Sequence, residues 1–297
     1  MAKKKWKREE SEEKATPAQE MNNKPNNKRK RNNQVFPFGN YRNYYGYRVG
    51  RDVEEDPRLR VFKKYWFEGK DCLDIGCNSG VVTVDIAKKY NCGSILGIDI
   101  DSDRIEEAYW YLRKVVKIKS GEKKHRTDSS VKAVEKANSS GQGDTFSSNE
   151  GTNGISKDCH PPMKRGLSDI VSFQRENFVQ SRPHPDNSFD TILCLSVTKW
   201  IHLNWGDDGL ITLFSRIWRL LRPGGILILE PQPWKSYENN RQVSETAKLN
   251  YRSILLRPER FQEILLDKIG FRMVEDITSG LSGTKMGFDR PIFAFHK

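Results

Sequence analysis

The feature that most constrains this chain is the run Leu73-Asp74-Ile75-Gly76-Cys77-Asn78-Ser79-Gly80, followed 23 residues after Gly76 by Asp99. Residues 71–75 read as an apolar strand, 81–90 as a helix and 94–98 as a second strand. The glycine turn therefore joins a strand to a helix, and the acid stands at the tip of the next strand. Two parallel strands need a crossover helix, so the unit demands a sheet covered by helices. A glycine turn lets a ligand approach backbone amides at a helix N-terminus, and an acid at the neighbouring strand tip can accept hydrogen bonds from ribose hydroxyls. The arrangement predicts a nucleoside-cofactor site. The turn lacks the third glycine of a dinucleotide fingerprint, and Asp74 within it would repel a pyrophosphate but suit a cationic ligand. That favours S-adenosylmethionine over NAD.

The alternation continues along the chain. A helix is expected over 102–117, strands over 170–173 and 189–195, a helix over 208–221 and a strand over 226–230. The C-terminal part departs from the alternation, with a helix over 258–269, a strand over 271–275 and a last strand over 290–295. Close spacing of those last two strands predicts an antiparallel pair at the edge of a mostly parallel α/β sheet.

Composition sets two segments apart. Residues 1–34 hold 11 Lys+Arg and 5 Asp+Glu, half of the formal net charge of +12, and almost no apolar residue precedes Val35. Such a stretch cannot bury enough surface to offset its chain entropy, so residues 1–35 are expected to be a disordered basic tail. Its runs Lys3-Lys4-Lys5-Trp6-Lys7-Arg8 and Lys28-Arg29-Lys30-Arg31 suit nuclear import or contact with RNA phosphates, and equally a solvated tail with no specific reader. A second low-complexity segment, about 118–167, is expected to be an insertion looped out of a domain spanning 36–297. No stretch has the roughly 18 to 20 uninterrupted apolar residues of a bilayer helix, and no apolar run follows the N-terminal lysines, so neither a membrane span nor a signal peptide is expected. Five cysteines lack the paired spacings of a zinc site, and neither disulfides nor a metal is expected.

The sequence resembles the methylphosphate capping enzyme family, also called the Bicoid-interacting protein 3 family, of class I methyltransferases. The residues that carry the likeness are Leu193-Cys-Leu-Ser-Val-Thr-Lys-Trp-Ile-His-Leu-Asn-Trp-Gly-Asp-Asp208, Asn43-Tyr-Tyr-Gly-Tyr-Arg48, Asp56-Pro-Arg-Leu-Arg60, Leu221-Arg-Pro-Gly-Gly225, Glu230-Pro-Gln-Pro-Trp234 and Gly287-Phe-Asp-Arg-Pro291. The resemblance implies a Rossmann-like, mostly parallel seven-stranded sheet with an antiparallel C-terminal edge pair. It implies methyl transfer from S-adenosylmethionine to the γ-phosphate of a 5′-triphosphate on a small noncoding RNA, with ribonucleoprotein partner proteins. By position, the family's cofactor contacts fall on Tyr45, Arg58, Gly76, Cys77, Asn78, Asp99, Ile100, Asn177, Phe178 and Leu195. Its triphosphate contacts fall on Tyr44, Arg48, Lys199 and Arg257. At Arg257 the family pattern has lysine; charge is kept, but the guanidinium prefers a bidentate geometry.

Other residues have plainer roles. Trp200 and Trp205 are expected in the core, His202 in a supporting role rather than as a general base, and Cys77 and Cys194 as small buried hydrophobes. An anionic phosphate needs no base to attack a sulfonium methyl group, so positioning is the expected task of the cations. Two alternatives stay open: a methyltransferase acting on 5′-monophosphate RNA ends, and a largely non-catalytic RNA-binding assembly protein that retains the cofactor pocket.

Overall fold

Strand β1 (Asp71–Ile75) is buried on both sides of the sheet: Cys72 faces one apolar layer, while Leu73 and Ile75 face the other. That period-two division is what a central parallel strand requires. β1 pairs in parallel with β2 (Ser94–Asp99), Asp71 opposite Ser94, and with β4 (Phe189–Leu195), Cys72 opposite Thr191. β3 (Val171–Arg175) flanks β2, and β5 (Leu221–Glu230) flanks β4 across a bulge between Phe189 and Thr191. The last two strands, β6 (Met273–Asp276) and β7 (Phe293–His296), are antiparallel, with β7 seated between β5 and β6.

The sheet order is β3-β2-β1-β4-β5-β7-β6, the seven-stranded methyltransferase arrangement with an antiparallel edge pair. The order reverses between β1 and β4, so their carboxyl ends diverge into a crevice, the usual ligand position in such sheets. These features come from a computed structural model that describes residues 35–42, 44–45, 55–128, 165–182, 184–278 and 290–297. The expected disordered tail, the greater part of the expected insertion, Arg48 and Gly287-Phe-Asp lie outside the described residues.

Helix α1 (Val81–Tyr90) follows the glycine turn and packs Val82, Ile86 and Ala87 into one layer. Helix α2 starts at Ser102 and runs to Asp128, eleven residues past the expected end at 117, because its helical register continues into the polar segment read as insertion. One helical turn, Leu167–Ile170, precedes β3.

The largest departure is helix α3. It spans Thr198–Leu220, beginning ten residues before the expected start at 208, with a non-helical break at Gly206. The break hid the first half, because Asn204-Trp-Gly-Asp207 looks like a turn, yet Trp200, Ile201 and Leu203, directly after Lys199, are buried in it. In the second half Leu210, Leu213, Phe214 and Ile217 are wholly buried at i, i+3, i+4 and i+7. Burial of that kind stabilises by about 1.5–3 kcal/mol per side chain.

Helices α4 (Trp234–Asn240) and α5 (Glu245–Ser253) pack beside α3. The segment 258–269 is helical as expected, opening as a 3₁₀ turn at Pro258–Arg260 and closing as a π-helix at Ile264–Ile269. No described helix is long and apolar enough to cross a membrane.

Candidate cofactor and acceptor site

The glycine turn is fixed by close packing. Gly76 has φ 73°, and a Cβ there would come 2.4 Å from Val197 Cγ2, so no other residue fits without displacing the loop after β4. The amides of Gly76 and Cys77 both donate to the Ile98 carbonyl, at 2.8 and 2.9 Å, locking the turn to the end of β2. Asn78 takes the left-handed conformation at φ 51°, which asparagine tolerates better than most residues.

Asp99 closes the same corner. Its Oδ2 accepts from the Asn78 amide at 2.9 Å and its Oδ1 from the Asp101 amide at 3.0 Å. Each oxygen keeps lone-pair capacity toward the crevice. Burial raises the carboxyl's pKa, against the pull of those two amides.

The crevice is a cleft open to solvent. Of the ten residues assigned to the cofactor by resemblance, nine line it: Tyr45, Arg58, Gly76, Asn78, Asp99, Ile100, Asn177, Phe178 and Leu195. Cys77 does not. Its side chain is 1% exposed and turned into the core layer that also holds Val82, where burial pushes the thiol up; its backbone belongs to this corner, through the amide bonded to Ile98 and the carbonyl that accepts from Tyr45 Oη at 3.4 Å. Asn177 spends its side chain on its own turn, accepting from the Val179 and Gln180 amides and donating to Gln180 Oε1. What it holds for a ligand is largely backbone.

One end of the cleft is anionic. Arg58 is buried and paired with Asp56 at 2.8 Å and Glu230 at 3.0 Å. Asp74, also in the cleft wall, accepts from Thr83 Oγ1 at 2.6 Å, and burial pushes its carboxyl up to about 6. Three buried carboxylates around one guanidinium favour a ligand that brings positive charge, and the donor groups of Arg58 can still meet a carboxylate. S-adenosylmethionine fits such a lining: Asp74 and Arg58 would meet its amino acid end, Asp99 its ribose and Phe178 its adenine.

The strap 35–42, read from sequence as the last residue of the tail and the start of the domain, supplies part of the wall. Phe38 stacks on Trp205 at 6.0 Å, Asn204 Nδ2 donates to the Pro37 carbonyl at 2.9 Å, and Asn40 donates to Asp101. Trp200 and Trp205 therefore face the cleft as well as the core, since Tyr41 and Phe38 cover them from the strap side. Glu176 and Val197 also line the cleft and went unnoticed in sequence. Glu176 directly follows the β3 tip, one residue beyond Arg175, the ladder partner of Asp99, and an acid just after a strand tip was the available signal.

The acceptor-side residues are more dispersed. Tyr44 lines the cleft. Lys199 sits in the first turn of α3, 5% exposed and outside the cleft wall itself, between Val197 and Trp200, which line it. Its ammonium donates to Ser236 Oγ at 3.0 Å and lies 4.0 Å over the Trp200 ring. Among the described residues no carboxylate reaches it. Burial, reinforced by the charge of Arg290, pushes it down to about 7. Arg290 donates to Ser196 Oγ at 3.0 Å, and that hydroxyl donates to Glu230 at 2.8 Å. Arg257 is exposed, stands outside the cleft wall, and lays its guanidinium 4.4 Å over Trp234. His202 is buried and bound to Asp207 at 2.7 Å, as a supporting residue would be.

The profile of a methyltransferase domain matches residues 73–229, and that of Bicoid-interacting protein 3 matches residues 189–297. A protein of Arabidopsis thaliana named "Probable RNA methyltransferase" is 63% identical over 269 residues, covering 91% of this chain and 83% of its own. The U6 snRNA methylphosphate capping enzyme Amus of Drosophila melanogaster is 37% identical, covering 99% of this chain and 88% of its own. The 7SK snRNA methylphosphate capping enzyme of Homo sapiens is 37% identical over 90% of this chain, which spans only 40% of that protein's length. With the fold, the cofactor cleft and these relatives in agreement, this chain belongs to the Bicoid-interacting protein 3 family of S-adenosylmethionine-dependent methyltransferases.

Proposed function

We propose that the protein is an RNA methyltransferase that methylates the 5′-terminal γ-phosphate of a small noncoding RNA. The observation that carries this reading is Lys199: a buried ammonium beside the cleft, with no carboxylate partner among the described residues and a pKa pushed down to about 7 by burial. A cation held in that state is stabilised by an arriving anion. The names of the relatives, which are snRNA capping enzymes, supply the RNA.

In this reading Tyr45, Arg58, Gly76, Asn78, Asp99, Ile100, Asn177, Phe178 and Leu195 hold the cofactor, with Cys77 contributing backbone only. Bound there, the cofactor supplies an electrophilic methyl group. Lys199, Arg257, Arg48 and Tyr44 orient the phosphate. A terminal phosphate with a second pKa of about 6 is already an anion at neutral pH, so its oxygen would be a competent nucleophile without a base. No proton has to be removed, which suits a site where His202 is turned away into a bond with Asp207. The cations act best on the oxygens that do not attack, because tight pairing would lower the nucleophilicity of the one that does. Alignment of this kind supplies several kcal/mol of the barrier reduction.

The basic runs of the N-terminal segment fit action in the nucleus and added affinity for RNA. Incubation with S-adenosylmethionine and a short RNA bearing a 5′-triphosphate, with Lys199→Ala as comparison, tests the reading. Transfer by the wild type and loss in the variant at unchanged cofactor affinity support it, and equal transfer by both overturns the role of Lys199.

A further inference from the structure

Helix α3 is interrupted at Gly206 by φ 63° and ψ −163°, a region essentially confined to glycine. The break leaves the Leu203 carbonyl to Asn250 of α5, which donates to it at 2.9 Å. It also turns Asp207 so that one carboxylate serves three donors. His202 Nε2 approaches Oδ1 at 2.7 Å, the Leu255 amide reaches Oδ2 at 2.9 Å, and the Leu256 amide reaches Oδ1 at 3.2 Å. A carboxylate only accepts, so His202 carries its proton on Nε2 and presents the Nδ1 lone pair to Tyr237 Oη at 3.4 Å.

Two elements meet through this group. His202 lies three residues after Lys199 on the first half of α3, and Leu255 and Leu256 lead directly into Arg257. Both cations are also seated on one short helix: Ser236 of α4 accepts from Lys199, and Trp234 of α4 carries the Arg257 guanidinium on its face. Trp234 is itself stacked on Tyr251 at 4.9 Å and 15°.

We propose that Asp207 is a positioning residue that fixes Arg257 relative to Lys199, so that the two cations take one RNA 5′-phosphate group as a pair. This rests on the acceptor reading above. A long cationic side chain on a loose loop would lose much of its binding energy in ordering, and anchoring its backbone and stacking its head removes that loss. The arrangement also explains arginine at 257. A planar guanidinium lies flat on an indole while its N–H edge stays open to two phosphate oxygens, which an ammonium cannot match. Asp207 lines no part of the cleft, so it acts only through the segment that it holds.

The test compares Asp207→Asn, Arg257→Ala and the double variant in the full chain. Asparagine keeps the shape but sets an NH₂ group against a donor. The Michaelis constant for 5′-triphosphate RNA should rise about tenfold in Asp207→Asn, with a smaller change in kcat, and the double variant should be no worse than Arg257→Ala alone. Affinity for S-adenosylhomocysteine should hold, while hydrogen exchange of the 255 and 256 amides accelerates. If Asp207→Asn does not fold, Trp234→Leu removes the other support of Arg257 and should show the same non-additivity with Arg257→Ala. Effects that multiply in the double variant, or unaltered exchange at 255 and 256, overturn the role of Asp207 alone. An Arg257→Ala variant that binds and methylates RNA like wild type overturns the phosphate reading and the pairing with it.

Discussion

Asp99 and Asn78 are joined across the crossover between β1 and β2: the Asn78 amide donates to Asp99 Oδ2 at 2.9 Å, so the glycine turn and the acid at the β2 tip form one corner. The Asp101 amide holds the other oxygen at 3.0 Å. A carboxylate gripped by two backbone amides is held in the cleft wall, and in the proposed reading its remaining lone pairs take the ribose hydroxyls.

Asp99→Ala should therefore weaken binding of S-adenosylhomocysteine by about 1–3 kcal/mol, since the ribose hydroxyls lose their acceptor and the two amides are left unpaired. Calorimetric titration measures this directly. Unchanged affinity would place the ribose elsewhere.

Asp74 gives the cofactor site a pH dependence. With its carboxyl pushed up to about 6 by burial, the residue loses its charge as pH falls through that value, and a cationic ligand loses its counter-charge. Affinity for S-adenosylmethionine should fall below about pH 6 and level off above about pH 7. Asp74→Asn should bind more weakly at neutral pH and show a flatter profile. An identical acid limb in the variant would assign the titration to another group.

Much of the cofactor corner was legible in the sequence because its signals are local. A glycine turn, a spacing of 23 residues and an acid at a strand tip are all set by the length of one crossover. The acceptor side was not legible in that way. Lys199 and Arg257 are 58 residues apart and are related through α4 and the bonds of Asp207, contacts that no periodicity announces. The first half of α3 was missed for a related reason: Gly206 ends the helical pattern in sequence, whereas in the fold Asn250 satisfies the Leu203 carbonyl beside the break. The strap 35–42 carries no motif, and its place over the cleft follows from Phe38 meeting Trp205.

The acceptor side should titrate in the opposite sense to Asp74. Lys199 is pushed down to about 7, so the free protein loses this charge as pH rises through neutrality. kcat/KM for RNA should rise through about pH 6 as the terminal phosphate ionises and fall again above about pH 7. Lys199→Arg should move the alkaline limb upward, and Lys199→Ala should abolish transfer while leaving cofactor affinity nearly intact. An alkaline limb unmoved by Lys199→Arg would exclude Lys199 as its source.

Gly206→Ala separates backbone strain from chemistry. The position is otherwise roomy, with Asn250 Oδ1 at 3.7 Å from an added Cβ, so its cost comes from the φ of 63°. About 1–3 kcal/mol of stability should be lost in thermal unfolding, together with a raised Michaelis constant for RNA as Asp207 shifts. Full stability with normal RNA kinetics would show that the break is not needed to aim Asp207.

The most direct measurement gives the protein labelled S-adenosylmethionine and three RNAs of one sequence, ending in a 5′-triphosphate, a 5′-monophosphate or a 5′-hydroxyl, and then locates the methyl group by enzymatic removal of the terminal phosphates and mass spectrometry. The expected result is label on the triphosphate RNA, released together with its γ-phosphate. Label that stays on a base or ribose, or a clear preference for the monophosphate end, would contradict the account.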